Sequence, residues 1–157
     1  MKQFVLLITV LCASVICNAR TDNPASPLHS GYAGTVSVGG GVILNKGIGD
    51  RMLELETCHG KNYGNGAFFG AGLGMQELVH DLSGNIFSEF RYTFDDGKIY
   101  PFVTSRGGWS FGDLEGAFAR IGGGVNVGKF NMTLYYRIQS GDSYRLHSLG
   151  ISTGISF

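Results

Sequence analysis

Apolar and polar residues alternate with a period of two along most of the chain beyond residue 30. This alternation indicates β-strands, because successive side chains of a strand point to opposite faces of the sheet. No window in this region shows a convincing helical period, and glycines interrupt every candidate. The pattern predicts eight strands: Tyr32–Leu44, Met52–His59, Ala67–Gln76, Asn85–Phe94, Tyr100–Phe111, Ala117–Val127, Asn131–Ile138 and His147–Phe157.

Turn-forming residues separate these strands, and every connection is short enough for a hairpin. Consecutive hairpins produce an antiparallel meander, and eight strands in a meander can close, which removes exposed sheet edges. The sequence therefore predicts an all-β fold, an eight-stranded antiparallel up-and-down barrel over residues 31–157. Glycine runs at 39–41 and 122–124 are expected to mark bulges or strand curvature.

The lengths of the connections predict which end of the barrel holds the chain termini. Short turns are expected on the side of the termini of a membrane barrel, and longer loops on the other side. The tightest turns fall on the terminal side, at Asp95–Lys98 and Gly128-Lys129, although Lys61–Gly66 is long for that side. The longer connections, on the opposite side, are Asn45–Arg51, Glu77–Gly84 and Ser140–Arg145.

The two faces of the predicted sheet differ in character, and the last strand shows this most clearly. Its apolar face carries mostly Leu and Ile, whereas its other face carries only serine and glycine. All lysines beyond residue 30 fall in the predicted turns (Lys46, Lys61, Lys98 and Lys129). Because small residues suit the inside of a narrow barrel, we predict a transmembrane barrel with its apolar face outward. The alternative is a soluble lipocalin-like carrier with an apolar interior.

Seven charged residues are assigned to the predicted lumen: Glu54, Glu56, Glu89, Arg91, Arg106, Arg120 and Arg137. Unpaired buried charge is costly, so three carboxylates and four guanidiniums in one lumen are expected to pair. The planar guanidinium of arginine suits this pairing, because it can bind a carboxylate through two parallel hydrogen bonds. The sequence thus predicts a structural salt-bridge network that plugs the lumen. A narrow or gated pathway for small solutes is the alternative.

Composition and spacing argue against several other functions. The 12 basic and 12 acidic residues balance, whereas a nucleic-acid-binding protein needs a basic face. His59, His80 and Cys58 have no metal-ligand spacing, and no glycine run opens a helix as a phosphate-binding loop does. We therefore predict no metal and no cofactor.

The adjacent residues His147 and Ser148 prompt the idea of an enzyme that modifies lipid A. Adjacent residues of a strand point to opposite faces, so these two cannot readily act as base and nucleophile. We therefore predict that the protein is not an enzyme, and the lipid-A-modifying barrel remains the less favoured alternative.

The first 19 residues have the features of an export signal. Lys2 precedes the apolar stretch Phe4–Ile16, and Cys17-Asn18-Ala19 places small residues at a cleavage site. We expect cleavage after Ala19, followed by a flexible leader over residues 20–30; a buried helix or membrane anchor is the alternative. A lipoprotein acylated at Cys17 is disfavoured by the bulky Ile16. Cleavage would leave Cys58 as the single cysteine, so no internal disulfide is expected.

The C-terminal segment Leu149–Phe157 resembles the signal that outer-membrane barrels offer to the barrel-assembly machinery. Together with Gly31-Tyr32, Asp50-Arg51 and Arg91–Phe94, this segment makes the chain resemble the small outer-membrane β-barrel proteins of Gram-negative bacteria, of the OmpA/OmpX type. The resemblance implies residence in the cell outer membrane, contact with its lipid and a monomeric state. It also implies recognition of Phe157 by the assembly machinery, and a structural or cell-surface interfacial role.

Overall fold

The computed structural model describes residues 30–45, 51–78, 81–94, 99–142 and 144–157. Its strands are β1 (Ser30–Ile43), β2 (Arg51–Tyr63), β3 (Ala67–Leu78), β4 (Asp81–Thr93), β5 (Ile99–Gly112), β6 (Gly116–Val127), β7 (Phe130–Ser140) and β8 (Arg145–Ser156). Each strand pairs antiparallel with the next, and β1 pairs with β8 to close the barrel. The predicted eight-stranded antiparallel barrel is confirmed.

Some of the predictions lie outside these residues. The signal peptide, residues 20–29 of the leader and the turn at Asp95–Lys98 are among them. Strand β1 begins at Ser30, so the predicted leader is wrong at this residue. Within the described residues, no helix is long and apolar enough to cross a membrane.

Large apolar side chains are exposed on the outer face of all eight strands. In β7, for example, Met132 and Leu134 are 52% and 59% exposed, whereas their neighbours Asn131 and Thr133 are buried. Alternation along each strand therefore places apolar residues outside and small or polar residues inside. This orientation excludes the lipocalin-like arrangement, in which the apolar face would line the interior.

The glycine runs lie in strands with a continuous register, so of the two predicted alternatives the bulges are wrong and strand curvature stays a prediction. Around Gly39–Gly41 the pairing with both β2 and β8 proceeds residue by residue, and so does the pairing around Gly122–Gly124. At several positions in these runs, glycine instead permits close approach. A Cβ on Gly39 would lie 2.9 Å from a carboxylate oxygen of Glu54, and a Cβ on Gly41 would lie 2.6 Å from the carbonyl oxygen of Leu149.

Two hairpins are tighter than their sequences indicate. Strand β2 continues to Tyr63, so the connection predicted at Lys61–Gly66 shrinks to residues 64–66, where both glycines have positive φ. The loop predicted at Glu77–Gly84 shrinks to two residues, because Leu78 pairs with Asp81. Polar residues there predict a loop, yet Ser83 lies in β4 and is buried. Connection length therefore distinguishes the two ends less clearly than expected.

The lumen also contains apolar side chains that the prediction of a polar interior omits. One buried cluster lies at the end of the barrel opposite the termini: Ile43, Met52, Leu114, Tyr135 and Leu146. A second contains Cys58, Phe68, Phe87 and Phe118. Leu114 belongs to the β5–β6 connection, so part of this connection contributes to the packed interior.

Candidate functional site

All seven charged residues assigned to the lumen lie on the inner face of the barrel. Six are buried, with exposed fractions of 8% or less, and Arg91 is partly buried. Strands β2, β4, β5, β6 and β7 supply them. Their common orientation follows from the strand period, since Glu54 and Glu56, like Glu89 and Arg91, are two residues apart.

Strand register places three arginines side by side on one wall of the lumen. Arg106 lies directly opposite Arg120, and Arg120 lies directly opposite Arg137, on the adjacent strands β5, β6 and β7. Like charges directly opposite each other on neighbouring strands destabilise a sheet. The row is therefore tolerable only if anionic groups face it from elsewhere in the lumen.

Glu54 and Glu56 face this row from β2, which lies four strands away from β6 in the barrel. The Nη1 atom of Arg120 is 2.6 Å from Glu54 Oε1 and 3.1 Å from Glu56 Oε2. Arg106 Nη1 also donates a hydrogen bond to Glu56 Oε2. These ion pairs thus join opposite walls of the barrel through the width of the lumen.

Glu89 extends the network towards the end of the barrel that holds the termini. Its Oε1 accepts hydrogen bonds from Arg91 Nε at 2.9 Å, from Arg91 Nη2 at 2.7 Å and from Thr104 Oγ1 at 3.0 Å. Its Oε2 lies 2.9 Å from Arg106 Nε. Arg106 therefore connects Glu89 to Glu56, and the ion pairs run continuously from Arg91 to Glu54.

Arg137 has mainly neutral partners. Its Nη2 donates to Asn85 Oδ1 at 3.3 Å, Ser110 Oγ at 3.2 Å and Gln139 Oε1 at 3.0 Å. Gln139 in turn donates to the Leu114 carbonyl oxygen at 2.9 Å. Arg137 thereby ties the charged centre of the lumen to the β5–β6 connection. These uncharged partners were not among the predicted site residues, because a search for charge passes over them.

Aromatic rings lie beneath all four lumen guanidiniums. The guanidinium carbon of Arg120 is 3.9 Å from the Tyr135 ring centroid, and that of Arg137 is 4.0 Å from the Phe118 centroid. The corresponding distances are 4.9 Å from Arg106 to Phe87, and 5.5 and 5.1 Å from Arg91 to Phe68 and Phe102. Each arginine thus adds a cation–π contact to its polar partners.

The sequence prediction missed these rings, although for two of them a neighbouring arginine gave a signal. Phe118 precedes Arg120 by two residues, and Tyr135 precedes Arg137 by two residues. Residues two apart share a face of a strand, so the assignment of Arg120 and Arg137 to the lumen also places Phe118 and Tyr135 there.

The structure brings no nucleophile and base together at His147 and Ser148. Ser148 is buried on the inner face, whereas His147 lies on the outer face, where its Nδ1 is 2.5 Å from the hydroxyl of Tyr136. The described residues contain no group of three or more His, Cys, Asp or Glu side chains placed to hold a metal ion. Among the described residues, the ion pairs and hydrogen bonds of the lumen are the candidate functional site that remains.

Phe157 lies at the seam where β8 meets β1. Its backbone exchanges two hydrogen bonds with Gly34, at 2.7 and 2.9 Å. A Cβ on Gly34 would lie 2.5 Å from the Phe157 ring, so glycine makes room for this ring to reach His59 on β2. The Phe157 and His59 ring centroids are 5.9 Å apart. The terminal side chain therefore passes over the first strand of the closed barrel.

No family model and no curated protein matches this chain. Among solved structures, the outer membrane enzyme PagL is similar with a TM-score of 0.62 and 16% identity, covering 77% of this chain and 98% of that chain. Neisserial surface protein A (NspA) gives 0.60 and 12%, with coverage of 82% and 99%. The N-terminal β-barrel domain of Pseudomonas aeruginosa OprF gives 0.52 and 14%, with 82% and 100%.

These similarities establish the fold. The chain has the architecture of small eight-stranded outer-membrane barrels, as its resemblance to that class predicted. PagL is an enzyme, whereas NspA is named as a surface protein and the OprF domain as a β-barrel. A shared fold by itself does not carry an activity from one protein to another.

Proposed function

We propose that this protein is an outer-membrane barrel closed by its own side chains, with a structural or interfacial role at the cell surface. The single observation that carries this proposal is the set of ion pairs joining β2 to β5 and β6 through the lumen. Eight-stranded barrels have interiors just wide enough for side chains to fill. A network fixed to both walls therefore acts as a plug.

The outer surface supports a membrane location. Its strands are 11–14 residues long, which suffices for the ~9–11 residues that a tilted strand needs to cross the hydrocarbon core. Soluble monomers rarely expose a contiguous apolar area larger than a few hundred Å², whereas here every strand exposes large apolar residues. PagL, one of the similar solved structures, is an outer membrane enzyme, which favours that membrane.

Sequence features at both ends of the chain support a route to this membrane. Export would use the N-terminal signal, with cleavage after Ala19, and the assembly machinery would recognise the last strand and Phe157. The finished protein is proposed to be a monomer in contact with outer-membrane lipid, because the closed barrel leaves no strand edge for another copy to pair with.

Two observations support a role without catalysis. His147 and Ser148 lie on opposite faces of β8, and the carboxylates of the lumen are bound by arginine instead of being free for acid–base chemistry. Lipid A from cells that produce the protein is accordingly expected to keep its mass. A loss of acyl chains that disappears in His147→Ala would contradict this part of the proposal.

Conductance in a planar lipid bilayer tests the plug. The wild-type protein is expected to show no sustained single-channel current, because the lumen side chains block the path. Arg120→Ala is expected to produce current or to leave the barrel unstable, since it removes the pairs with Glu54 and Glu56. Arg145→Ala, at an exposed position where β8 begins, is the matched control and is expected to stay silent. A steady wild-type current would favour the small-solute channel instead.

A further inference from the structure

Among the described residues, the lumen contains four guanidinium groups and three carboxylates. Glu54, Glu56 and Glu89 are all buried, and four arginines share them. Glu89 binds Arg91, Glu56 binds Arg106 and Glu54 binds Arg120, each through an ion pair of 2.7 Å or less. Arg137 is the guanidinium that this pairing leaves without a carboxylate of its own.

The surroundings of Arg137 offset its charge only in part. Its side chain is 1% exposed, and its nearest carboxylate oxygen is Glu54 Oε2 at 3.7 Å, in a carboxylate that Arg120 binds more closely. Register places Arg120 itself directly opposite Arg137, so two cations adjoin. A buried charge with neutral hydrogen-bond partners and a cationic neighbour is expensive unless a counter-charge lies close to it.

Unpartnered donors collect beside this guanidinium. Arg137 Nε and Asn85 Nδ2 are buried and have no hydrogen-bond partner. Asn85 is fully buried, and its Oδ1 lies 3.3 Å from Arg137 Nη2, which brings its amide next to the arginine. Arg120 Nε and Nη2 are also buried without a partner. The Glu54 carboxylate is recorded within ion-pair distance of Arg137 at Nη1, whereas Nε lies on the edge of the guanidinium that it shares with Nη2.

We propose that one small inorganic anion, with the charge and size of chloride, binds in the lumen beside Arg137 Nε and Asn85 Nδ2. The anion accepts hydrogen bonds from donors that otherwise have none and balances the extra guanidinium. A neutral water molecule would satisfy the donors but would leave the charge uncompensated. The inference deepens the closed lumen proposed above, because the anion forms part of the plug.

Chloride-dependent stability tests this site in the full-length exported protein, purified in neutral detergent. Chloride replaces gluconate at constant ionic strength, and the thermal unfolding midpoint is recorded. A ligand that binds only the folded state raises the midpoint with its concentration, so wild-type protein is expected to show a rise. Arg137→Gln is expected to abolish it.

Arg91→Gln is the matched control, because it removes the same charge from the lumen at a position paired with Glu89. It is expected to retain the chloride dependence. A wild-type midpoint that is the same in chloride and gluconate would overturn the proposal. Equal loss of the dependence in both variants would also overturn it, since the effect would then reflect total lumen charge instead of a local site.

Bromide provides a direct probe that needs no variant to fold. Crystals grown in bromide are expected to show an anomalous difference peak in contact with Arg137 Nε, and the absence of a peak there would overturn the site. The closed lumen is tested separately by conductance. A silent barrel without a peak would refute the anion alone, whereas a conducting barrel would refute the plug whatever the crystals show.

Discussion

Arg120 occupies the centre of the lumen network. Its guanidinium faces Glu54 and Glu56 from the opposite wall and stacks on the Tyr135 ring of the neighbouring strand. Removing one partner of a buried ion pair leaves the other charged and unpaired, which is more costly than never having the pair. Side chains of this kind determine whether the interior is a fixed plug.

We predict that Arg120→Ala lowers the free energy of unfolding by about 3–5 kcal/mol, because buried Glu54 loses its closest partner and Glu56 loses one of its two arginine partners. Urea unfolding in detergent micelles, followed by tryptophan fluorescence of Trp109, measures the change. Arg145→Ala, at an exposed position, is expected to stay within about 0.5 kcal/mol of wild type. A loss below about 1 kcal/mol in Arg120→Ala would show that the carboxylates find other partners and that the network is not a rigid plug.

Charge and strand period together made all seven lumen residues predictable. Both signals were needed. The period of two shows which residues of a strand share a face, and the charged residues show which of the two faces cannot contact lipid. Phe118 and Tyr135 share that face but carry no charge, so a search for charged residues missed them. Leu114 could not be found in this way, because it lies in a connection where the strand period does not apply.

At the scale of the strands, close backbone contact determines where glycine is required. Gly41 on β1 pairs with Gly150 on β8, and the register there continues without a bulge. The pattern of strands was predictable because turn residues separate alternating segments. The β3–β4 hairpin was not, because Ser83, a residue type common in turns, keeps the strand period by pointing into the lumen, and turn composition alone cannot distinguish such a strand residue from a loop residue.

Gly41→Val is predicted to destabilise the β1–β8 seam by about 1–3 kcal/mol, the usual cost of overpacking a tight site. A Cβ at this position would lie 2.6 Å from the Leu149 carbonyl oxygen, which belongs to backbone and cannot rotate away. The urea midpoint of the refolded protein measures the effect. Gly107→Val is the matched control, because a Cβ there meets nothing within 4 Å. Equal midpoints for the two variants would contradict the close approach at the seam.

At the scale of the whole molecule, the barrel separates two environments. Its outer wall exposes Leu, Ile, Val and aromatic side chains on every strand, whereas its interior holds arginines, glutamates and the rings beneath the guanidiniums. Water cannot cover such an outer wall without a large hydrophobic cost, and lipid or detergent can. The fold is therefore expected to depend on an amphiphilic solvent.

Refolding with and without detergent tests this dependence most directly. Protein refolded in detergent is expected to migrate on a gel at a position that boiling abolishes, because the closed barrel stays compact until it is heated. The same chain in plain buffer is expected to show no such shift and to aggregate. A monomeric, folded chain in plain buffer would contradict the orientation of the two faces, and with it the proposal of a membrane barrel closed by its own charged side chains.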